Sequence, residues 1–192
     1  MRVLLFPSTL VGVLRLLLVG YAFHLSQLAD TSPVTVVGLL AISRLMDLAD
    51  GALARRYGDV SQFGTVFDLL SDLVSHSVLW WLAGFTWSWW VIGLEWTAGI
   101  AILWTIWSGT DAWKHTLTED SPGWVRAYFK NQQRNWLCGI GVVGHFAFPA
   151  LAYANITPVW VTWVEIPGFV LYEAVTIHLI WAVLRPAPEV TS

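Results

Sequence analysis

The sequence predicts an all-α integral membrane protein of six transmembrane helices, with both chain termini in the cytoplasm. Three observations predict this fold class: the composition, the lengths of the apolar segments, and the placement of the basic residues. The 192 residues are 56% hydrophobic and only 12% charged, and they include 14 tryptophans. Soluble domains carry about twice this share of charged residues. The composition therefore indicates a chain that is solvated largely by lipid.

Six apolar segments each come close to the roughly 20 residues that a helix needs to cross a bilayer. In chain order they cover Ser8–Gln27, Val34–Arg55, Gln62–Phe85, Trp89–Trp107, Arg134–Ala154 and Val159–Leu184. The second and third are the least apolar because they carry aspartates. A polar segment near residues 108–133 separates the fourth from the fifth, and we expect it in the cytoplasm. We treat residues 1–192 as a single membrane domain.

The basic residues orient the predicted bundle. With both termini inside, all ten Lys and Arg residues fall on the cytoplasmic half or in cytoplasmic loops. The three opposite connections, near residues 29–33, 86–88 and 155–158, contain none. This asymmetry is typical of the positive-inside rule, and it places the connection between the second and third segments on the cytoplasmic side.

Tryptophans and cysteine content agree with this arrangement. Five tryptophans fall at the predicted outer edge, where membrane proteins carry an aromatic belt: Trp87, Trp89, Trp90, Trp160 and Trp163. Cys138 is the only cysteine, which excludes an intrachain disulfide.

Four aspartates interrupt the second and third apolar segments. The pattern is Asp47-x2-Asp50-Gly51-x2-Ala54-Arg55-x8-Gly64-x3-Asp68-x3-Asp72. Each aspartate at the centre of a spanning helix costs roughly 2.5–3.5 kcal/mol on insertion scales. Arg15, Arg44 and Arg55 lie within reach, so neutralising all four carboxylates requires a further cation. A divalent metal fits, because Mg²⁺ and Mn²⁺ prefer carboxylate oxygens as ligands.

Helical spacing predicts that the four carboxylates share one cavity. Residues three or four apart lie on the same face of a helix, and residues 58–59 favour a turn between the two segments. A hairpin folded there places Asp47 level with Asp72, and Asp50 level with Asp68. The sequence therefore predicts a metal-binding cavity between two neighbouring helices.

Small and basic residues surround the aspartates. Gly51, Ala54 and Gly64 allow either another backbone or a flat ligand to approach closely. Arg55 follows Asp50 toward the cytoplasm, where its guanidinium can bind a phosphate with two hydrogen bonds or extend to lipid headgroups. Divalent ions beside a basic residue suit phosphoryl transfer, in which a free aspartate can act as general base.

The full pattern resembles the signature of the CDP-alcohol phosphotransferases, and every fixed position is met. The resemblance implies transfer of a phosphatidyl group from CDP-diacylglycerol to an alcohol, with release of CMP. It implies two bound divalent ions, Mg²⁺ or Mn²⁺, and a catalytic base at Asp72. By position, it assigns Asp47, Asp50, Asp68 and Asp72 to the metals, and Gly51, Ala54, Arg55 and Gly64 to the cytidine diphosphate pocket.

Within that family the chain most resembles the eukaryotic-type phosphatidylinositol synthases. The shared features are Phe6-Pro7, Leu10-Val11-Gly12-x2-Arg15, Tyr128-Phe129, Arg134 and Gly144. This resemblance implies myo-inositol as acceptor, whereas glycerol 3-phosphate, inositol phosphate and serine stay open as alternatives. Lys130 and Arg134 border the predicted cytoplasmic mouth, where they either bind the acceptor or serve as orientation signals and headgroup contacts.

The resemblance also implies a homodimer among membrane lipids and no nucleic acid partner. The host membrane would be the endoplasmic reticulum in a eukaryote or the plasma membrane in a prokaryote. A divalent-cation transporter is the rival interpretation, since it also places aspartates at mid-depth. Two observations argue against a transporter. The guanidinium of Arg55 would repel a passing cation, and the other apolar segments carry no matching set of acidic residues.

Five further polar residues fall within the apolar segments. His76 continues the face of Asp68 and Asp72 by one turn, and we expect it either to touch the cavity or, preferentially, to form a hydrogen bond between helices. We expect satisfied polar pairs or edge positions for the remaining four, which are Glu95, His145, Glu173 and His178.

Overall fold

The computed structural model describes residues 7–57, 62–108, 121–131, 133–156 and 159–185. Within these ranges the chain forms seven α-helices and no strand. In chain order they are α1 (Pro7–Ser26), α2 (Pro33–Tyr57), α3 (Gln62–Ala83), α4 (Ser88–Trp107), α5 (Gly123–Phe129), α6 (Trp136–Tyr153) and α7 (Val159–Leu184).

The six long helices match the six predicted segments closely, and each begins and ends within two residues of its predicted bounds. Proline opens both α1 and α2, where its fixed φ and missing N–H fit the first helical position. The predicted all-α architecture is therefore confirmed for the described part of the chain.

Five helices are long and apolar enough to cross a membrane: α1, α3, α4, α6 and α7. Helix α2 has sufficient length, at 25 residues. Its mean hydropathy is lower because it carries Arg44, Asp47 and Asp50 together with two arginines near its end. The sixth span and the cytoplasmic location of both termini remain predictions.

Helix α5 is an element that the sequence pattern did not predict. It follows Pro122 and lies within the polar segment, yet Val125 and Tyr128 are buried. Val125 packs with Ala98 of α4 and Leu179 of α7. Residues 109–120 of the polar segment lie outside the described residues.

Helix α3 lies at the centre of the bundle. It contacts α1, α4 and α6, while α1 packs on α2, and α7 packs on α4 and α6. One core cluster joins the end of α1, the beginning of α2 and the second half of α3, through Val19, Ala22, Val36, Leu40 and Leu79. This arrangement is that of antiparallel neighbours joined by short connections. It places the first halves of α1 and α3 and the second half of α2 at one end of the molecule.

Two glycines let α6 and α7 approach backbone to backbone. A Cβ added to Gly144 would lie 2.5 Å from the backbone nitrogen of Phe169, and one added to Gly168 would lie 2.4 Å from the carbonyl oxygen of Ile140. Small residues at such crossings are typical of packed membrane helices.

Exposed tryptophans mark both ends of the long helices. Trp89 and Trp90 lie at the beginning of α4, and Trp163 lies near the beginning of α7, at the end predicted to face outward. Trp104 and Trp107 lie at the opposite end of α4. Side chains of this kind anchor a protein at the two membrane–water interfaces.

Candidate active site

Three aspartates from two helices meet at one point of the bundle. Asp47 comes from α2, and Asp68 and Asp72 come from successive turns of α3. One carboxylate oxygen from each lies within 4.8 Å of the others. The i, i+4 spacing on α3 places its two carboxylates on the face that α2 and α1 approach. We call Asp47, Asp68 and Asp72 the carboxylate cluster.

Arg15 of α1 contacts every member of the carboxylate cluster. Its Nη1 lies 2.8 Å from an oxygen of Asp47 and 2.8 Å from an oxygen of Asp68. Its Nη2 donates to Asp72 at 2.6 Å. The side chain is only 1% exposed, so this guanidinium is buried among the carboxylates that it neutralises.

Arg44 of α2 provides a second positive charge. Its Nη1 donates to Asp72 Oδ1 at 2.7 Å and lies 3.3 Å from Asp47 Oδ2. Its guanidinium also lies 4.7 Å from the ring centre of Phe146 on α6. Both arginines donate to the same oxygen of Asp72, Oδ1.

The donor set of the carboxylate cluster fits a hard divalent cation. Its ligand atoms are carboxylate oxygens, which Mg²⁺ and Mn²⁺ favour over nitrogen or sulfur. Asp68 is about half exposed, with 51% of its side chain accessible, whereas Asp47 and Asp72 are largely covered. The cluster is thus open on one side, as a site that receives a substrate must be.

Several predicted site residues have side chains outside the described part of the structure. Asp50, Gly51, Ala54 and Arg55 belong to α2, and the structure describes their backbone alone. The predicted turn at residues 58–59 also lies outside the described residues. Gly64 lies in the first turn of α3, one turn before Asp68, and is half-buried.

Lys130 and Arg134 lie in the connection between α5 and α6, and both are exposed. The side-chain amide of Asn135 donates to the carbonyls of Tyr128 and Lys130, at 2.8 Å each, and its oxygen caps α6. Burial raises the pKa of the Tyr128 hydroxyl well above its ordinary value, so this side chain stays neutral. The structure therefore fixes the segment that carries Lys130, but it shows no contact between Lys130 and the carboxylate cluster among the described residues.

The joint role of Arg15 and Arg44 was only partly visible in the sequence. The sequence places both arginines within reach of the aspartates, but their spacing assigns neither to the site. The signal for Arg15 is its isolation, since it is the one charged residue of α1. A lone arginine in a spanning helix indicates a buried acidic partner.

His76 does not point into the carboxylate cluster. It lies one turn beyond Asp72 and pairs with Glu95 of α4 through Nδ1, as the preferred interpretation of a hydrogen bond between helices predicted. His145 pairs with Glu173 at 2.9 Å. The predicted polar pairs are therefore present, and His178 adds a hydrogen bond of 3.0 Å to Ser121.

Comparison with known proteins identifies one family. The family model described as CDP-alcohol phosphatidyltransferase matches residues 5–171, which is most of the chain. No curated protein and no solved structure matches the sequence significantly.

Proposed function

The chain belongs to the CDP-alcohol phosphatidyltransferase family, and from this premise we propose that it transfers a phosphatidyl group from CDP-diacylglycerol to myo-inositol. The products are phosphatidylinositol and CMP. The observation that carries the proposal is the meeting of Asp47, Asp68 and Asp72 within 4.8 Å of one another inside an apolar bundle. Membership in the family supports phosphatidyl transfer to an alcohol, and the resemblance to phosphatidylinositol synthases supports inositol as that alcohol.

The cofactor of the proposed reaction is a pair of divalent cations, Mg²⁺ or Mn²⁺. The family is generally dependent on divalent cations, and the oxygen ligands of the carboxylate cluster suit them. Asp47, Asp68 and Asp72 would hold the ions, with Asp50 as a fourth ligand. When bound, such ions offset the charge that develops on the diphosphate of the donor.

Asp72 is proposed as the general base. The hydroxyl oxygen of the acceptor attacks the phosphorus that carries the diacylglycerol, and the bond from that phosphorus to the bridging oxygen of CMP breaks. Asp72 accepts the hydroxyl proton, and CMP departs with the bridging oxygen. Arg15 and Arg44 both donate to Asp72 Oδ1, so we propose that the other carboxylate oxygen, Oδ2, accepts the proton.

The nucleotide pocket is proposed around Gly51, Ala54, Arg55 and Gly64. The three small residues leave room for the cytidine diphosphate group near the backbone, and Arg55 binds its phosphates with paired hydrogen bonds. Lys130 and Arg134 are proposed to bind the acceptor at the cytoplasmic mouth, because both are exposed and basic. We further propose a homodimer with its active sites facing the cytoplasm.

An acceptor panel tests this proposal. Purified protein in lipid nanodiscs is supplied with CDP-diacylglycerol labelled in its acyl chains, Mn²⁺, and one acceptor at a time: myo-inositol, inositol phosphate, glycerol 3-phosphate or serine. We expect CMP release and labelled phosphatidylinositol with inositol alone, and neither product with Asp72→Asn.

The outcomes of the panel separate the parts of the proposal. Incorporation of only glycerol 3-phosphate would exclude the inositol assignment while retaining phosphatidyl transfer. Absence of CMP release with every acceptor would contradict the proposed chemistry and return a cation transporter to consideration.

A further inference from the structure

A second polar cluster lies inside the bundle, one helical turn from the carboxylate cluster. Its members are His76 of α3, Glu95 of α4 and His145 of α6, and we call them the histidine cluster. Glu95 Oε1 lies 2.5 Å from His76 Nδ1 and 3.2 Å from His145 Nε2. None of the three side chains is more than 4% exposed. Two ring nitrogens and one carboxylate oxygen thus converge, within 4.8 Å of one another, in a site closed to solvent.

A fourth residue orients the histidine cluster from outside. His145 uses its other ring nitrogen, Nδ1, to contact Glu173 Oε1 at 2.9 Å. Since Trp80 Nε1 donates to Nε2, a neutral His145 ring carries its proton on Nδ1 and its lone pair on Nε2, the nitrogen that faces Glu95. Metal-binding histidines almost always donate their second nitrogen to a carboxylate or carbonyl in this way.

The polar atoms of the histidine cluster are incompletely satisfied. Within the described part of the chain, His76 Nε2, Glu95 Oε2 and Glu173 Oε2 are buried and have no hydrogen-bond partner. Buried polar atoms without partners cost about 1–3 kcal/mol each and call for an explanation. Glu95 Oε2 is a second carboxylate oxygen at the cluster, and it is available to bind a ligand.

The protonation of the histidines sets the net charge of the histidine cluster. The ion pairs that Glu95 and Glu173 form with described residues are all with histidines, which carry no fixed positive charge. Two carboxylates at mid-depth in an apolar bundle require compensation. With neutral histidines, a single dication would neutralise both carboxylates, and it would lie between His145 Nε2 and Glu95 Oε1, which are 3.2 Å apart.

We propose that His76, Glu95 and His145 bind a transition-metal dication of the Zn²⁺ type, with Glu173 as the carboxylate that orients His145. Tetrahedral zinc sites hold nitrogen and oxygen ligands at about 2.0–2.2 Å, which separates the ligand atoms by roughly 3.3 Å. The 3.2 Å between His145 Nε2 and Glu95 Oε1 matches this value, whereas the 2.5 Å between His76 Nδ1 and Glu95 Oε1 would have to lengthen by roughly 0.8 Å when the ion binds. The bound ion would tie α3, α4 and α6 together.

The nature of the donors separates this site from the carboxylate cluster. Imidazole nitrogens favour Zn²⁺, Co²⁺ and related ions, whereas the all-oxygen set around Asp72 favours Mg²⁺ and Mn²⁺. The inference therefore does not depend on the proposed function. A chain inactive toward every alcohol would still bind the ion.

Tyr172 donates its hydroxyl to Glu95 Oε1 at 3.3 Å, and Trp80 competes with the ion for His145. Trp80 Nε1 donates to His145 Nε2 at 3.1 Å and occupies the lone pair that a metal would use. Metal binding has to break this hydrogen bond. Trp80→Phe removes the competing donor and keeps an aromatic ring, so it should bind the ion at least as tightly as the unmodified chain.

Cobalt absorption provides the test. Metal-stripped protein in detergent is titrated with Co²⁺ in the presence of excess Mg²⁺, which saturates the carboxylate cluster. We expect one equivalent of Co²⁺ to produce the intense visible bands of a four-coordinate nitrogen–oxygen site, and Zn²⁺ to displace them. His76→Gln and His145→Gln should each abolish the bands. Glu173→Gln should weaken binding about 10–100-fold, as loss of an outer carboxylate does in known sites.

Two controls keep the test decisive. Asp47→Asn alters the carboxylate cluster alone and should retain the bands, and Trp80→Phe should retain them as well. The proposal is overturned if the unmodified chain shows no bands, if Trp80→Phe loses them as His145→Gln does, or if they survive both histidine substitutions. Thermal unfolding gives a second readout, since Zn²⁺ should raise the midpoint of the unmodified chain more than that of Glu173→Gln.

Discussion

At the scale of single residues, Arg15 explains how three carboxylates stay together inside an apolar bundle. It contacts Asp47, Asp68 and Asp72 at distances of 2.6–2.8 Å. Removing one partner from a buried ion pair strongly destabilises a protein, because the remaining charge is left uncompensated. Arg15 therefore supplies positive charge where the proposed cofactor would also supply it, and the two should substitute for each other in part.

The substitution Arg15→Gln tests this role. We expect it to lower the midpoint of thermal unfolding by roughly 5 °C in the presence of a chelator, because the carboxylates then repel one another. Added Mn²⁺ should restore a large part of the loss. The measurement is thermal unfolding in detergent with and without Mn²⁺. The control is Arg185→Gln, since Arg185 is exposed at the end of α7 and stacks on Trp181.

If Arg15→Gln lowered the unfolding midpoint equally with and without Mn²⁺, the metal ion would not replace the charge of the guanidinium. Arg15 would then stabilise the bundle by packing and hydrogen bonding alone.

Asp72→Asn should nearly abolish turnover, by about 10²-fold or more, while donor binding remains largely intact. The amide keeps the shape of the side chain but cannot accept the hydroxyl proton. Turnover is measured as CMP release and donor binding as retention of labelled CDP-diacylglycerol. Asp30→Asn serves as control, because Asp30 is exposed in the connection between α1 and α2. Equal loss of turnover and donor binding would show that Asp72 acts mainly as a metal ligand.

At the scale of elements, α3 carries both polar clusters on successive turns. Asp68, Asp72 and His76 follow one another at i, i+4 spacing, so they project from one face of the helix. The position of that face depends on the helices packed around α3. Of these, α6 is held against α7 by the contact between Gly144 and Gly168.

Gly144→Ala should separate α6 from α7 and destabilise the protein by about 1–3 kcal/mol, because the added methyl meets backbone atoms that cannot move aside. Gly139→Ala is the matched control on the same helix, since a Cβ there meets nothing within 4 Å. It should leave stability unchanged or raise it slightly, as alanine favours helix over glycine. The measurement is the unfolding midpoint of both variants. Similar midpoints would show that the glycine contact is not required.

The boundaries of the long helices were predictable because bilayer thickness sets their length. The approach of Asp68 and Asp72 to Asp47 followed from helical spacing and a short turn. Helix α5 was not predictable, because its seven residues are held by the contacts of Val125 and Tyr128 with distant helices. Such contacts override local preference.

The triple contact of Arg15 was also beyond the sequence pattern. Helix α1 is apolar on nearly all sides, so its composition does not define which face turns inward. The pairing of His76 with Glu95, and of His145 with Glu173, likewise depends on how α3, α4, α6 and α7 are rotated against one another. The spacing of residues within one helix does not predict how that helix is rotated against its neighbours.

At the scale of the whole molecule, the basic residues predict which end faces the cytoplasm. Cysteine labelling in oriented vesicles tests it. A membrane-impermeant maleimide should modify Lys130→Cys from the cytoplasmic side and Asp30→Cys from the opposite side, since both positions are exposed. The unmodified chain is the blank, because its single cysteine, Cys138, is buried. The reverse labelling pattern would place the carboxylate cluster toward the outer surface.

The contacts of Arg15 also bear on how the chain enters the bilayer during synthesis. Helices α2 and α3 emerge from the ribosome after α1. Because both carry aspartates, the free energy of inserting either helix alone into lipid is unfavourable. Arg15 of α1 binds carboxylates from both helices. Insertion into the bilayer is therefore most favourable when the three helices leave the translocon together. A chain without its first helix should therefore insert α2 and α3 less efficiently than the complete chain.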